Sequence, residues 1–159
     1  MVTDRAAINA LSYRVIGCAI AVHRELGPGL LERTYVLAMA EELNLEGIVR
    51  RLDVPVPVLY RGKSLGCGYR MDILVADTIV LELKSVNGVA DIHHKQLMSY
   101  LKIAKLPLGL LINFNVSLLR DGITRIINLP RNDTDRSQSN QVVDVTEQPA
   151  RRAPRGGRE

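Results

Sequence analysis

The sequence is poor in aromatic residues and in cysteine. Its 159 residues include five tyrosines, one phenylalanine and no tryptophan, so it lacks the rows of aromatic side chains on which many nucleic-acid binders stack bases. The two cysteines, Cys18 and Cys67, are too few for a disulfide framework and do not have metal-ligand spacing. We therefore predict a cytoplasmic, reducing setting in which both pack as small apolar residues.

Long apolar runs are also missing. The longest nearly uniform run, Val15 to Val22, is about half of what a bilayer-spanning helix needs. No basic-then-apolar leader precedes it. We expect a soluble, unexported protein with no membrane partner.

The composition suits one domain. A hydrophobic content of 47% is enough for a single core, and the net charge of +4 suits a polyanionic partner without proving one. From residue 130 the chain is rich in arginine, asparagine, aspartate, serine, glutamine and proline. The sequence thus predicts a folded domain over residues 1–129 and a disordered tail over residues 130–159.

Two helices are expected first. Apolar residues recur at spacings of three and four from Asp4 to Leu26, with Thr3 as a plausible N-cap. A second helix is expected from Leu30 to Leu45, because strong helix formers dominate it, and Gly47 ends it.

Three strands should follow, because the apolar residues then alternate. Their expected ranges are Val54–Tyr60, Leu65–Val75 and Ile79–Val86. Pro55 and Pro57 cannot donate to a sheet, so the first strand should lie at an edge.

A third helix is expected from Asp91, as N-cap, to Lys105. Leu108–Phe114 is continuously apolar, as expected of a central strand, and Ile123–Asn128 should form the last strand. The sequence therefore predicts an α/β fold in the order α-α-β-β-β-α-β-β, with helices flanking a mixed sheet.

Asp72 on one predicted strand and Glu82 and Lys84 on the next suggest a hydrolytic site. Two converging carboxylates offer the hard oxygen ligands that Mg²⁺ prefers, and a nearby lysine can orient water or stabilise negative charge. The simpler interpretation is that these residues are solvated, or that Glu82 and Lys84 only pair with each other. Their strand is otherwise apolar on both faces, which favours a functional interpretation.

The register of the hairpin decides whether this site can exist. A two-residue loop at Ala76-Asp77 would put Asp72 on the face opposite Glu82. A loop with an odd number of residues, or a β-bulge, would put the two on the same face. We predict the second arrangement.

The third helix adds polar side chains on one face. His93, Gln96 and Tyr100 are spaced at i, i+3 and i+7, so they could approach the carboxylates and position substrate. The alternative is a polar helix edge with one packed tyrosine.

Several segments resemble one family. Gly29-Leu30-Leu31-Glu32-Arg33-Thr34-Tyr35 reads G-x-x-E-x-x-Y and resembles the signature of the GxxExxY family within the PD-(D/E)XK nuclease superfamily. Gly68–Asp72, Leu81–Val86, His93–Leu101 and Leu110–Phe114 resemble later blocks of that family, in order.

This resemblance implies a restriction-endonuclease-like core with Asp72, Glu82 and Lys84 as catalytic residues and Glu32 as an additional metal ligand. It also implies that Gln96 and Tyr100 form a Q-x-x-x-Y element. Without the resemblance, Glu32 has a structural explanation at the third position of its helix, and Tyr35 is explained by core packing with a hydrogen-bonded hydroxyl.

The sequence therefore predicts a Mg²⁺-dependent or Mn²⁺-dependent nuclease that acts on DNA or, less favoured, RNA. The alternative is a non-catalytic module that keeps the fold and binds nucleic acid or protein. A homodimer is an option, because a domain of this size covers little duplex by itself.

Overall fold

A computed structural model describes residues 4–66, 68–128 and 143–144. It contains three α-helices, α1 (Arg5–Leu26), α2 (Glu32–Leu45) and α3 (Asp91–Ala104), and a 3₁₀ helix, Leu119–Gly122. The strands are β1 (Arg50–Pro55), β2 (Leu59–Tyr60), β3 (Lys63–Ser64), β4 (Arg70–Val75), β5 (Ile79–Lys84), β6 (Leu108–Asn113), β7 (Ile123–Ile127) and β8 (Val143–Asp144).

The strands β1, β4, β5, β6, β7 and β8 form one mixed sheet in that order. β1, β4 and β5 are antiparallel neighbours, β6 runs parallel to β5, and β7 is antiparallel to β6. α3 forms the crossover between β5 and β6, and all six residues of β6 are buried. The predicted α/β architecture, with a central strand near residues 108–114, is confirmed.

The faces of the sheet contribute to two hydrophobic clusters. One is built mainly by α1, α2 and the sheet, and includes Val15, Met39, Leu81 and Phe114. The other is built by α3 and the sheet, and includes Leu97 and Val80. Because Glu82 and Lys84 are two and four residues beyond Val80, they belong to the face covered by α3.

Asp4 is the N-cap of α1, and its carboxylate accepts hydrogen bonds of 3.3 Å from the amides of Ala6 and Ala7. The predicted N-cap, Thr3, lies outside the described residues. α1 ends at Gly27, whose φ of 68° favours glycine. By length and composition alone, α1 is long and apolar enough to cross a membrane, a property that it shares with core helices of soluble proteins. Val15 and Ala19, on the inner face of α1, are fully buried in the protein.

Other boundaries differ from the prediction. α2 begins at Glu32 with Leu31 as N-cap, so Glu32 is the first helical residue and not the third. The N-cap of α3 is Ala90 and not Asp91.

The strand predicted over residues 54–60 is wrong, because β1 starts earlier, at Arg50, and ends at Pro55. Residues 59–64 instead form the separate β2–β3 hairpin. Pro57 lacks the amide donor that a continuous strand would need.

Cys18 is buried in the core as predicted, and burial raises the pKa of its thiol to about 11. Cys67 lies outside the described residues. Of the tail predicted over residues 130–159, the structure describes only Val143–Asp144, which pair with Thr124 and Arg125 of β7. The domain boundary at residue 129 therefore stays a prediction.

Candidate functional site

The hairpin between β4 and β5 closes with a loop of three residues. Val75 pairs with Ile79 and Ile73 pairs with Leu81, which leaves Ala76, Asp77 and Thr78 in the turn. The number of loop residues is odd, so the next pair along the strands consists of Asp72 and Glu82. The predicted same-face arrangement is thus confirmed.

The backbone pairing of β4 with β5 ends just before this point, at Ile73 and Leu81. Asp72 continues the connection through its side chain, because its Oδ2 accepts a hydrogen bond of 2.8 Å from the amide of Leu83. The Asp72 side chain therefore takes the place of a backbone hydrogen bond at the point where β4 and β5 separate. It holds a carboxylate beside the residues that flank Leu83, which are Glu82 and Lys84.

Lys84 lies between two carboxylates. Its Nζ is 3.0 Å from Oε1 of Glu82 and 4.0 Å from Oε2 of Glu32, at the first turn of α2. The side chain of Glu82 is 5% exposed and that of Lys84 14%, whereas that of Glu32 is 44% exposed. Glu82 and Lys84 are therefore not solvated surface residues, and α2 brings Glu32 to the rim of the same site.

Burial and charge perturb each of the central groups. Burial, followed by repulsion from Asp72, raises the pKa of Glu82 to about 7. Burial also raises the pKa of Asp72, although the hydrogen bond from Leu83 opposes this effect. Burial alone would lower the pKa of Lys84, but Glu82, Glu32 and Asp72 together raise it. The lysine is thus held as a cation among acids.

The carboxylate oxygen Oε2 of Glu82 indicates whether a cation would fit beside Asp72 and Glu82. Oε2 of Glu82 is buried and has no hydrogen-bond partner in the structure, and Asp72 is its neighbour across the strands. A buried carboxylate oxygen without a partner is costly unless a proton, water or cation satisfies it. The Asp72 and Glu82 pair therefore fits a divalent ion.

Within residues 4–66 and 68–128, no three histidine, cysteine, aspartate or glutamate side chains are grouped to hold one ion. Two carboxylates are nevertheless a usual protein contribution for Mg²⁺, which keeps several waters and takes further oxygens from substrate phosphates. The role of Glu32 as a third ligand stays a prediction.

α3 places its polar face next to the carboxylates. Nε2 of Gln96 donates a hydrogen bond to the hydroxyl of Tyr100. Burial raises the pKa of Tyr100, and the charges of Glu82, Lys84 and Asp72 also act on it. The structure thus brings both residues of the Q-x-x-x-Y element to the site.

His93 has a structural partner at the start of α3. Its Nδ1 accepts a hydrogen bond of 3.2 Å from the amide of Ala90, so the ring caps the helix. Its predicted part in positioning substrate stays a prediction.

Sequence reasoning gave no role to Asn113, which fixes the chain after the site. Its amide nitrogen donates to the carbonyl of Val86 at 2.9 Å, and its Oδ1 accepts from the amide of Val86 at 3.1 Å. The one signal available from sequence is that a polar residue ends the otherwise apolar run of β6. The structure buries Asn113 beside β5, where a polar side chain needs hydrogen-bond partners.

The G-x-x-E-x-x-Y segment is connected to the site by backbone contacts. The Tyr35 hydroxyl donates to the carbonyl of Gly27 at 2.6 Å and accepts from the amide of Leu30 at 3.1 Å. The Ser85 hydroxyl, one residue beyond Lys84, donates to the carbonyl of Leu30 at 2.5 Å. Tyr35 also stacks on Phe114 with ring centroids 4.4 Å apart, so its predicted role in core packing is confirmed.

Comparison with known families agrees with this geometry. A model of the PD-(D/E)XK nuclease superfamily matches residues 9–126, which is most of the chain. The chain belongs to the PD-(D/E)XK nuclease superfamily. The matched region includes Glu32, Asp72, Glu82, Lys84 and Tyr100. No curated protein and no solved structure gives a significant match.

Membership of the PD-(D/E)XK superfamily confirms the predicted restriction-endonuclease-like fold. Members of this superfamily are typically nucleases and generally use divalent metals, so a nuclease-type function is supported. The narrower assignment to the GxxExxY family stays a prediction.

Proposed function

We propose that this PD-(D/E)XK protein is a Mg²⁺-dependent or Mn²⁺-dependent nuclease that hydrolyses phosphodiester bonds of DNA, with RNA as the less favoured substrate. The observation that carries the proposal is a register that puts Asp72 and Glu82 on one face where β4 and β5 separate, close enough for their charges to interact, with the ammonium of Lys84 at 3.0 Å from Glu82. Two acids that can hold a metal ion, beside a cation that can stabilise negative charge, are suited to phosphate hydrolysis.

Asp72 and Glu82 would hold the divalent ion. When bound, the ion would neutralise charge on the phosphate and lower the pKa of a coordinated water. Glu32, at 4.0 Å from Lys84, is close enough to the centre to add negative charge there. Its exposed carboxylate would assist entry of the cation.

Lys84 would act mainly as a cation. Its neighbours Glu82, Glu32 and Asp72 raise its pKa, which keeps the ammonium protonated at neutral pH. A protonated ammonium can donate to a phosphate oxygen and stabilise the charge that develops there. It is less suited to remove a proton from water in this arrangement.

Gln96 and Tyr100 would position the substrate. The hydrogen bond from Gln96 orients the Tyr100 hydroxyl, whose own proton remains available for donation to a phosphate oxygen. Because both residues are on α3, this one helix would fix the distance between the nucleic-acid backbone and the carboxylates.

The experiment is a cleavage assay with the purified full chain on single-stranded DNA, duplex DNA and RNA of the same sequence, in Mg²⁺, Mn²⁺ or EDTA. Asp72→Asn and Lys84→Met are compared with wild type. Asp77→Asn, in the exposed turn of the same hairpin, and Lys102→Met, on the exposed side of α3, serve as matched controls. We expect metal-dependent cutting that only the first two variants lose.

Cutting that persists in Asp72→Asn and Lys84→Met would sink the proposal. Metal binding without cleavage of any substrate would favour the non-catalytic alternative, a module that keeps the fold and binds nucleic acid or protein. Light scattering during size-exclusion chromatography tests whether the chain forms a homodimer, and cell fractionation tests the expected cytoplasmic location.

A further inference from the structure

A cleft of about 480 Å³ lies beside the candidate active site, between α3 and the segment that leads into β4. Its apolar walls are Val58, Ile92 and Ile103. Its volume is within the range of about 300–1,000 Å³ that is usual for sites of small organic groups. The cleft therefore has room for one ring system of modest size.

The cleft shares two residues with the candidate site, although Asp72, Glu82 and Lys84 do not line it. Gln96 and Tyr100 line it, and the same Tyr100 is subject to the charges of Glu82, Lys84 and Asp72. A polymer whose phosphate is held by the acids would thus present its neighbouring unit to this cleft. A separate small molecule bound in the cleft would instead contact Tyr100 and compete with the nucleic-acid substrate for it.

One wall of the cleft is an aromatic ring open to solvent. Tyr69 lines the cleft and is 50% exposed, and its ring centroid is 6.3 Å from that of Tyr100 at a tilt of 60°. Tyr100 itself is buried, so the ring that the cleft offers to a planar guest is that of Tyr69. An exposed tyrosine face next to a phosphate site is suited to stack a nucleobase.

Lys95 is a cation in the lining of the cleft. Val58, which also lines it, immediately precedes the β2–β3 hairpin, on which Arg61 and Lys63 are exposed. These positive charges complement a phosphate backbone that continues beyond the cleft. Gln96 and Ser99 also line the cleft. Nε2 of Gln96 already donates to Tyr100 and the Ser99 hydroxyl donates to the carbonyl of Lys95, so these side chains would meet the edge of a base as hydrogen-bond acceptors.

We infer that the cleft accepts the unpaired base of a nucleotide adjacent to the cleaved phosphate, stacked on Tyr69, so that the substrate is single-stranded nucleic acid. The inference rests on the proposed nuclease function and narrows its substrate. A base in a duplex is stacked and paired inside the helix, so it reaches a side cleft only after unpairing, which costs free energy. Single strands do not incur this cost.

The test uses the full chain in EDTA, where no cutting occurs, and a single-stranded oligonucleotide with one 2-aminopurine, a base whose fluorescence falls on stacking. We expect binding with quenching. Tyr69→Ala should weaken the affinity roughly five- to 150-fold, the equivalent of losing one base–aromatic stack. Tyr69→Phe, which keeps the ring, should restore both affinity and quenching.

Tyr13→Ala is the matched control, because Tyr13 is 76% exposed on α1, whose buried residues belong to the other cluster. It should bind like wild type. The same oligonucleotide annealed to its complement should bind more weakly than the single strand. Three results would each overturn the inference. They are equal affinity for the single strand and the duplex, an affinity of Tyr69→Ala equal to that of wild type, and no binding of the oligonucleotide.

The outcome for the cleft is separable from the outcome for catalysis. If wild type binds the single strand through Tyr69 but cuts nothing in Mg²⁺ or Mn²⁺, the nuclease proposal fails and the base site stands. If wild type cuts duplex and single strand equally, and Tyr69→Ala does the same, the nuclease proposal stands and the base site fails.

Discussion

The carboxylate of Asp72 accepts a hydrogen bond of 2.8 Å from the backbone amide of Leu83, across the point where β4 and β5 separate. This bond fixes the aspartate against the backbone between Glu82 and Lys84. The three side chains of the candidate site therefore depend on one hydrogen bond as well as on strand register. Loss of this hydrogen bond and loss of the negative charge of Asp72 have different consequences. Two substitutions, Asp72→Asn and Asp72→Ala, distinguish them.

We predict that Asp72→Asn keeps most of the stability and loses function. The amide oxygen of the new side chain can still accept from Leu83, but it is a weaker ligand for Mg²⁺ because it carries no charge. Mn²⁺ affinity, measured by calorimetric titration, should fall by roughly tenfold or more, and cleavage should be abolished.

Asp72→Ala removes the acceptor as well. It should lower the free energy of unfolding by about 1.5–3 kcal/mol, as expected for a lost hydrogen bond to a charged group. Urea unfolding of both variants checks the difference. Equal stability of the two would show that the Leu83 hydrogen bond contributes little.

We predict that the metal-free protein loses stability as pH rises through neutrality, and that Glu82 is a main cause. Burial raises the pKa of Glu82 from 4.5 to about 7, so the folded state holds this proton more tightly than the unfolded state does. The resulting stability is complete below about pH 4.5 and lost as pH rises through about 7, with an upper limit of about 3 kcal/mol. The raised pKa of Asp72 acts in the same direction.

Glu82→Gln should flatten this dependence, because the amide does not ionise. The measurement is the free energy of unfolding in urea at pH 5 and pH 8, in EDTA. Glu41→Gln, on the exposed side of α2, is the matched control and should follow wild type. A slope in Glu82→Gln as steep as in wild type would contradict the assignment.

We predict that Tyr35→Phe destabilises the fold by about 1–3 kcal/mol. The change leaves the stack on Phe114 but removes the hydroxyl that joins Gly27 to Leu30. Two part-buried hydrogen bonds are lost, each contributing about 0.5–1.5 kcal/mol. Thermal or urea unfolding measures the effect. Tyr13→Phe removes a hydroxyl from an exposed ring and should change stability by less than about 0.5 kcal/mol; a comparable loss there would mean that the Tyr35 hydroxyl has no special role.

The sequence was sufficient to predict most of the fold because its periodicities are clear. The 3.6-residue stripe of α1 and the continuous apolar run of β6 each follow from which faces are buried. The candidate trio was also predictable, since charged residues on the otherwise apolar β5 must face a partner. The choice between a two-residue and a three-residue turn was not determined by this pattern. It depends on Ala76 and Asp77 both adopting a φ near +50°, which alanine seldom does.

Other features depend on contacts that are distant along the chain. Pro55 and Pro57 predicted an edge strand, and β1 is indeed the first strand in the order of the sheet. Its bounds were not predictable locally because they follow from pairing with β4, which the hydrogen bond from the amide of Val56 to the carbonyl of Tyr69 continues just beyond Pro55. From the sequence, Tyr69 is only one of the alternating residues of the strand predicted over Leu65–Val75. Its place opposite Tyr100 arises from the packing of its segment against α3, and no local pattern reports such a pairing.

We predict opposite effects for two glycine-to-alanine changes. At Gly122 a Cβ atom would lie 2.2 Å from the carbonyl oxygen of Asn113, which is backbone and cannot move aside easily. Gly122→Ala should destabilise by about 1–3 kcal/mol or more. Gly17 is exposed within α1 and has open space around its Cβ position, so Gly17→Ala should stabilise by about 0.5–1 kcal/mol. Urea unfolding measures both, and a neutral Gly122→Ala would show that β6 can shift to accommodate the methyl group.

Lys84 and Glu82 should be energetically coupled. Lys84→Met removes the ammonium that lies 3.0 Å from a buried carboxylate, so at pH 8 it should cost about 3 kcal/mol. The cost should shrink at pH 5, where Glu82 takes up a proton. In the double variant Lys84→Met with Glu82→Gln the buried Glu82 charge is no longer left without its cation, although Asp72 and Glu32 keep theirs. Much of the loss should therefore be recovered. A double-mutant cycle in urea at pH 8 should give a coupling of about 1–3 kcal/mol. Additive single effects would show that the two charges do not stabilise each other, and that Lys84 is held by Glu32 and solvent instead.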